Sequence, residues 1–447
     1  MKKLWQKNTT LLKRVEDFTV GNDRQFDMEL APYDVLGSIA HAKMLADAGL
    51  LSSQDAAKII AQLKVIFNSI DTSQFKIDED VEDIHSQIEL MLTQKLGDTG
   101  KRIHTARSRN DQVLVDIKLF LRSKLQELVE SASLFFDLLQ TQSEKYKDYL
   151  FPGYTHLQLA MPSSFGLWFG AYAESLVDDM RIVRAAYDVV NKNPLGSAAG
   201  YGSSFPIDRS QTTELLGFSD LNYNVVYAQM GRGKTERIVA MALVNVADTL
   251  SKLSMDACLY LNQNFDFISF PAELTTGSSI MPHKKNPDVF ELIRSHCNRI
   301  KSLPNEIMII TTNLPSGYHR DLQLLKEHLF PAFVTLRDCI EMAGLMLSNI
   351  QIKMHILDDE RYKYLFTVEE VNKLVMAGIP FREAYKIVGQ KVEDGSFVSS
   401  PVEKMSKGTH EGSIGNLCNE EIRRSMQEII DSFPFRKVHE SITELLR

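Results

Sequence analysis

The sequence predicts a nearly all-α protein built around a bundle of long helices, and three observations carry that reading. Glycine and proline number only 23 and 14 in 447 residues, well below the roughly 12% of average usage. Two long stretches, 101–151 and 234–270, contain neither residue type before Phe151 and Phe270 respectively. Within both, apolar residues recur at steps of three and four, the period of an amphipathic helix.

In chain order, the first stretch carries Leu114, Ile117, Leu121, Leu125, Leu128, Ala132, Phe135 and Leu139 on one helical face. Leu176, Met180, Val183, Tyr187 and Val190 predict a second helix ahead of the Gly-rich run 196–202. Val239, Leu243, Val246, Leu250, Leu253 and Ala257 alternate steps of four and three, the spacing of a coiled-coil-like seam. That helix would be roughly 50 Å long. Further helical segments follow at 288–303 and 318–349, with Pro331 expected to kink or restart the latter. Helices this long predict an elongated oligomeric bundle whose apolar seams continue into partner subunits. Strand signals are sparse: 222–227 and 306–310 are short apolar runs that would serve equally as helix ends or loops.

Breakers cluster near Gly97–Gly100, Pro194–Pro206, Gly277–Pro287 and Gly395–Pro401. These suggest a mostly helical N-terminal domain over 1–105, a central long-helix domain over 106–355 and a small C-terminal helical domain over 356–447. Lys plus Arg total 50 against 58 Asp plus Glu, a net charge of -8, so nucleic acid is not the default partner. The start, Met1–Thr10, has no apolar core of a signal peptide, and no run of about 18 apolar residues predicts a membrane span. Cys258, Cys297, Cys339 and Cys418 are scattered and read as buried thiols of a cytoplasmic protein.

Four polar segments could carry chemistry. Thr276–Asp288 (TGSSIMPHKKNPD) combines a small-residue loop with helix-start residues: Asn286 as N-cap, Pro287 at the first helical position and Asp288 complementing the dipole. With Lys284 beside it, such a loop suits a carboxylate or phosphate, although a solvated loop with a cap reads equally well. His104–Gln112 (HTARSRNDQ) sets Arg107, Arg109 and Asn110 at a helix start, either an anion site or a solvated first turn. Pro152–Gln158 (PGYTHLQ) offers Thr155 and His156, the latter a possible general acid or base, although a lone histidine is more often structural. Tyr318–Lys326 (YHRDLQLLK) puts Gln323 and Lys326 on one face, and Glu82, Asp83 and His85 form a small acidic cluster. Gly233-Lys234-Thr235 ends like a phosphate-binding loop, but Ala228 stands where its first glycine is required. Zinc-hydrolase, deaminase and nucleophile-elbow signatures are missing.

In this order, HTARSRNDQ, GYTHLQ, TGSSIMPHKKNPD and YHRDLQ resemble the fumarase/aspartase superfamily, and within it the argininosuccinate lyases most closely. The resemblance runs from about Phe18 to the HEGSIGNL segment at 410–417. It implies a homotetramer whose active sites draw on several subunits, arginine biosynthesis or the urea cycle as context, and no metal or organic cofactor. The implied reaction cleaves argininosuccinate to arginine and fumarate through an aci-carboxylate carbanion. Ser278 would be the base, with Lys284 and the helix start easing the charge. His156, oriented by Glu291, would protonate the departing guanidino nitrogen. Substrate contacts would fall on Asp27, Asp83, Arg109, Asn110, Thr155, Asn286, Tyr318, Gln323 and Lys326.

Several positions depart from the family pattern. Gly21-Asn22-Asp23 replaces the small polar serine usual before Asp27, Ala106 stands where glycine is usual, and His283 stands where glutamine is common. Leu324 and Leu325 occupy places where acids are common, and 228–234 lacks the usual Arg-Asp-Phe. The alternatives are an adenylosuccinate-type substrate, for which the 107–112 and 318–326 segments look wrong, and a non-catalytic, crystallin-like structural role.

Overall fold

The computed structural model describes residues 12–72, 74–399, 402 and 408–447; the Met1–Thr10 start and Pro401 lie outside them. The described residues fold into α1 (Lys13–Val20), α2 (Asp23–Asp47), α3 (Ser53–Asp71), α4 (Ile84–Leu96), α5 (Asp98–Lys101) and α6 (Arg109–Lys145). A hairpin of β1 (Leu150–Thr155) and β2 (Gln158–Ser164) leads into α7 (Phe165–Val190). Next come β3 (Lys192–Asn193), α8 (Arg209–Leu215), β4 (Asp220–Leu221), α9 (Val225–Met230) and α10 (Lys234–Leu261). After them lie β5 (Ile268–Ser269), β6 (Thr276–Gly277), β7 (Lys285–Asn286), α11 (Asp288–Ile300), α12 (Leu303–Ile310) and α13 (Leu325–Ser348). The chain closes with β8 (Gln351–Ile352), α14 (Thr367–Met376), α15 (Phe381–Glu393), α16 (Asn419–Asp431) and α17 (Phe435–Leu446). The strands form two-stranded pieces only. The doubtful apolar runs resolve mostly as helix: 225–227 opens α9, capped by the Asn224 side chain, with 222–224 outside it, and 306–310 belongs to α12.

The helical periods read from sequence are the buried faces. Every apolar residue named above for α6, α7 and α10 is buried, and the six of α10 are fully so. Complete burial of each leucine or valine among them stabilises the fold by about 2 kcal/mol. Helix α6 begins on a capping box, Ser108 and Asp111 exchanging side-chain and backbone bonds, which satisfies two N–H groups at its start. It packs on α7 and α2, while α10 lies among α7, α11, α12 and α13. Phe120 of α6 stacks on Phe330 of α13 at 4.0 Å between ring centres. Helix α13 continues through Pro331 instead of restarting there.

The α10 seam is therefore filled by the chain's own helices. Different faces remain open, marked by exposed Met241 and Met255 on α10, Met308 and Ile309 on α12, and Val334, Met342 and Leu345 on α13. Helix α10 is long and apolar enough to cross a membrane, yet 61% of its apolar window is buried inside this bundle, the behaviour of a core helix. Its start explains the Gly-Lys-Thr string. Gly233 adopts φ +75°, and a Cβ there would lie 2.6 Å from the Thr311 methyl. Its N–H donates to Glu236 at 2.7 Å, as does the Arg232 Nε at 2.7 Å. Of the cysteines, Cys297 and Cys339 are buried, whereas Cys258 and Cys418 are partly exposed.

Candidate active site

Helix α2 brings a stripe of polar residues through an otherwise apolar interior. Asp23, Asp27, Asp34, Ser38 and His41 follow helical spacing along one face, and all but the first are buried. Around the upper end of this stripe, a cavity with an empty volume of about 710 Å³ opens among α2, the start of α4, the start of α6 and the 318–326 segment. Seven of the residues assigned from the resemblance line it: Asp27, Asp83, Arg109, Asn110, Tyr318, Gln323 and Lys326.

The cavity walls are tied by charge. Lys326 Nζ lies 2.5 Å from Asp27 and 2.5 Å from Asp23. Burial lowers the Lys326 pKa, but the two carboxylates outweigh it and hold the ammonium above its ordinary value. Asp83 caps α4, accepting from the Ser86 N–H at 2.8 Å, and pairs with Arg109 at 2.9 Å. Burial pushes the Asp83 carboxyl up, while His85, Arg109 and the Ser86 donors together bring it below the usual carboxylate range. Gln323 donates to the carbonyls of Thr19 and Val20 at 3.1 and 3.2 Å, and Arg320 bridges Thr19 and Glu82 at 2.9 and 3.0 Å. Thus the 318–326 segment fastens the junction of α1 and α2 over the cavity.

Beneath the cavity floor, His85 contacts Asp34, and the Asp116 carboxylate lies 3.4 Å from the same ring nitrogen. Burial works against the imidazolium, yet Asp34, Asp83 and Asp27 outweigh it and raise the His85 pKa. Asp116 is pushed well up by burial and then by the Asp34 charge. The ligand atoms of Asp34, His85 and Asp116 are near enough for a cation. Asp34 is already occupied, however, by His85, by Gln112 at 2.8 Å and by Ser38 at 3.3 Å, whereas both Asp116 oxygens are buried without a hydrogen-bond partner.

The HTARSRNDQ run is split by the structure. Arg109 and Asn110 face the cavity, whereas Arg107 turns inward to Ser38 at 2.9 Å. Ala106 takes φ +58°, the left-handed backbone that a glycine adopts freely. The turn is held by His41, whose Nε2 lies 2.9 Å from the Thr105 carbonyl oxygen. Burial, reinforced by Arg107, drives the His41 pKa down to about 3. A histidine pKa depressed from 6.5 means that the folded state binds fewer protons than the unfolded, so stability is present above pH 6.5 and lost as pH falls toward 3. By pH 5 the loss from this group should be about 2 kcal/mol. Denaturant midpoints measured at pH 7 and 5 check it: His41→Gln should lack this part of the acid sensitivity, and equal sensitivity in both proteins would contradict the assignment.

The remaining assigned residues do not line this cavity. Thr155 and His156 sit at the tip of the β1–β2 hairpin, Thr155 pairing with Gln158 across a two-residue turn. Its two central residues, His156 and Leu157, both have positive φ, +54° and +57°. Such turns favour glycine and asparagine, so two ordinary side chains here store strain, a pattern concentrated at functional sites. Both are exposed, and the His156 ring makes no hydrogen bond among the described residues.

Ser278 and Lys284 occupy a second hairpin tip, closed by Thr276 paired with Asn286 and Gly277 with Lys285. Asn286 is therefore a strand residue donating to Thr276 at 3.4 Å and not the helix cap; Pro287 precedes α11, which begins at Asp288 with no side-chain cap. The Asp288 carboxylate accepts from the Thr276 hydroxyl instead. Ser278 Oγ accepts from the N–H groups of Ile280 and Met281 at 3.3 and 3.1 Å, donors well placed to stabilise negative charge on that oxygen. Glu291 is exposed in the first turn of α11, and within one chain no hydrogen bond or ion pair joins it to His156.

The lyase family model matches residues 7–301. An argininosuccinate lyase from Parabacteroides distasonis is 59% identical over 444 residues, 99% of each chain. One from Thermotoga neapolitana is 37% identical over 87% of this chain and 98% of its own. Among solved structures, EDDS lyase in complex with formate superposes with a TM-score of 0.74 at 21% identity, covering 96% of this chain and 92% of that one. Full-length identity at this level, on a fold of buried long helices, establishes that the chain belongs to the argininosuccinate lyase family of the fumarase/aspartase superfamily.

Proposed function

We propose that the protein cleaves argininosuccinate to arginine and fumarate in the cytoplasm, as a homotetramer and as a step of arginine biosynthesis. The observation that carries the reading is the cavity itself. Seven family positions converge there, with buried carboxylates, an ammonium and amide groups suited to a zwitterionic amino acid.

In the proposed reaction, Ser278 Oγ takes a proton from the succinyl carbon beside a carboxylate. The carbanion spreads onto that carboxylate as a dianionic aci form, close to the Lys284 ammonium. The C–N bond then breaks, its electron pair passes to the guanidino nitrogen, and His156 supplies the proton that nitrogen needs, leaving fumarate and arginine. An isolated serine hydroxyl is too weak a base for this step. The Ile280 and Met281 N–H groups on Oγ are what lower the cost of its alkoxide. Thr155 and Asn286, on the same two hairpins, would hold the succinyl carboxylates.

The tetramer is supported by what one chain leaves unjoined. Ser278 and His156, at its hairpin tips, do not line its own cavity, and its exposed methionine-bearing faces on α10, α12 and α13 offer area for helix packing between subunits. Adding purified protein to argininosuccinate should raise the ultraviolet absorbance of fumarate, and adenylosuccinate should give none. Silence with both would support the structural role, and a response to adenylosuccinate would reassign the substrate.

A further inference from the structure

Each cation on the cavity wall can be matched to its counter-charge. Arg232 belongs to Glu236 at 2.7 Å, Arg109 to Asp83 at 2.9 Å and Arg320 to Glu82 at 3.0 Å. His85 is committed to Asp34. Lys326 lies 2.5 Å from two carboxylates, Asp23 and Asp27, so this corner of the wall carries one more negative charge than positive. Asp27 is the deeper of the two, its side chain 2% exposed, and it also accepts from the Ile84 N–H at 3.3 Å. Asp23, 16% exposed and one helical turn earlier, is where the surplus meets the cavity. A buried surplus charge demands either a proton or a cationic ligand.

The proposed reaction decides which cation. The scissile bond lies at the guanidino end of the arginine half and must face Ser278 and His156, neither of which lines this cavity. The cavity therefore holds the other end of the molecule, the α-amino acid head. On that reading of the function, we propose that Asp23 is a specificity residue, binding the α-ammonium of the arginine half and selecting against substrates whose α-nitrogen is acylated. Asp23 lies in the stretch that departs from the family pattern.

Without a ligand, a proton meets the surplus only below about pH 6. Burial first, then Asp27 and Asp83 against the opposing pull of Lys326, raises the Asp23 carboxyl to about 6. The groups facing it are Lys326 from α13, Asp27 from its own helix and Asp83 from the cap of α4. Arginine binding near pH 5.5 should consequently displace a proton from Asp23, and near pH 8 it should not.

Calorimetry with arginine and with Nα-acetylarginine, on the intact protein and on Asp23→Asn, tests the assignment. The native protein should bind arginine at least about tenfold more tightly than the acetylated form, as expected for a desolvated ion pair. Asp23→Asn should lose that preference by weakening arginine alone, and should also lose the fall in arginine affinity between pH 8 and 5.5. Asp23→Ser should behave likewise, which separates lost charge from a poorly accommodated amide. Equal weakening of both ligands, or an unchanged preference, overturns the proposal while fumarate release from argininosuccinate still stands. If native protein binds neither ligand and releases no fumarate, the functional reading falls and this inference with it.

Discussion

Replacing Ser278 with alanine should lower kcat by about a thousandfold or more, the range expected when the base of a proton abstraction is removed, while arginine affinity stays within about twofold. The two halves of this expectation come from different parts of the molecule. Ser278 stands at a hairpin tip whose pairing runs through Thr276, Gly277, Lys285 and Asn286, none of which uses the serine hydroxyl. The substitution removes one oxygen and the two bonds it accepts from Ile280 and Met281. The amino acid cavity is built from α2, α4, α6 and the 318–326 segment and contains nothing from this hairpin. Stopped-flow fumarate absorbance gives the rate and calorimetry with arginine gives the affinity. A near-normal rate would transfer the base role to another group, and a parallel loss of arginine affinity would mean that the hairpin shapes the cavity as well.

The fold was legible wherever burial imposes a period. The apolar residues of α6, α7 and α10 recur every three or four positions because each faces the same bundle interior, and all are buried. Short strands left no such trace. The β1–β2 hairpin turns on His156 and Leu157, side chains that ordinarily avoid left-handed backbone, so the usual Gly or Asn turn signal is absent. Asn286 misled for a related reason: Asn-Pro-Asp has the composition of a helix start, but pairing of Thr276 with Asn286 turned the asparagine into a strand residue.

Resemblance supplied the cavity residues, yet the residues beneath them had a signal of their own. Asp23, Asp27, Asp34, Ser38 and His41 form a polar stripe at helical spacing within α2, and an interior face carrying that many titratable groups is unusual unless it serves a site. What no single sequence or single chain contains is the pairing of cavity with hairpin tips. In the proposed tetramer that pairing depends on how copies of the chain pack.

A mixing experiment addresses that packing directly. Ser278→Ala and Lys326→Gln proteins should each be nearly inactive, the first for want of the base, the second because the cavity loses the cation that holds Asp23 and Asp27. Glutamine keeps amide donors within reach of both carboxylates, so the second variant retains polar partners for groups that would otherwise be buried unpaired. If a site takes its hairpin from one subunit and its cavity from another, equal amounts unfolded and refolded together should assort at random, and about a quarter of the sites should receive two intact halves. Turnover would then rise from near zero to about a quarter of the native value without any new mutation. Refolding each variant alone controls for recovery of structure, and mixing without unfolding controls for exchange. If the sites were instead completed within one chain, every site in the mixture would carry one lesion or the other, and no ratio of the two proteins would restore activity. The complementation yield thus reads out from a rate whether Ser278 and Lys326 of the same chain serve different sites.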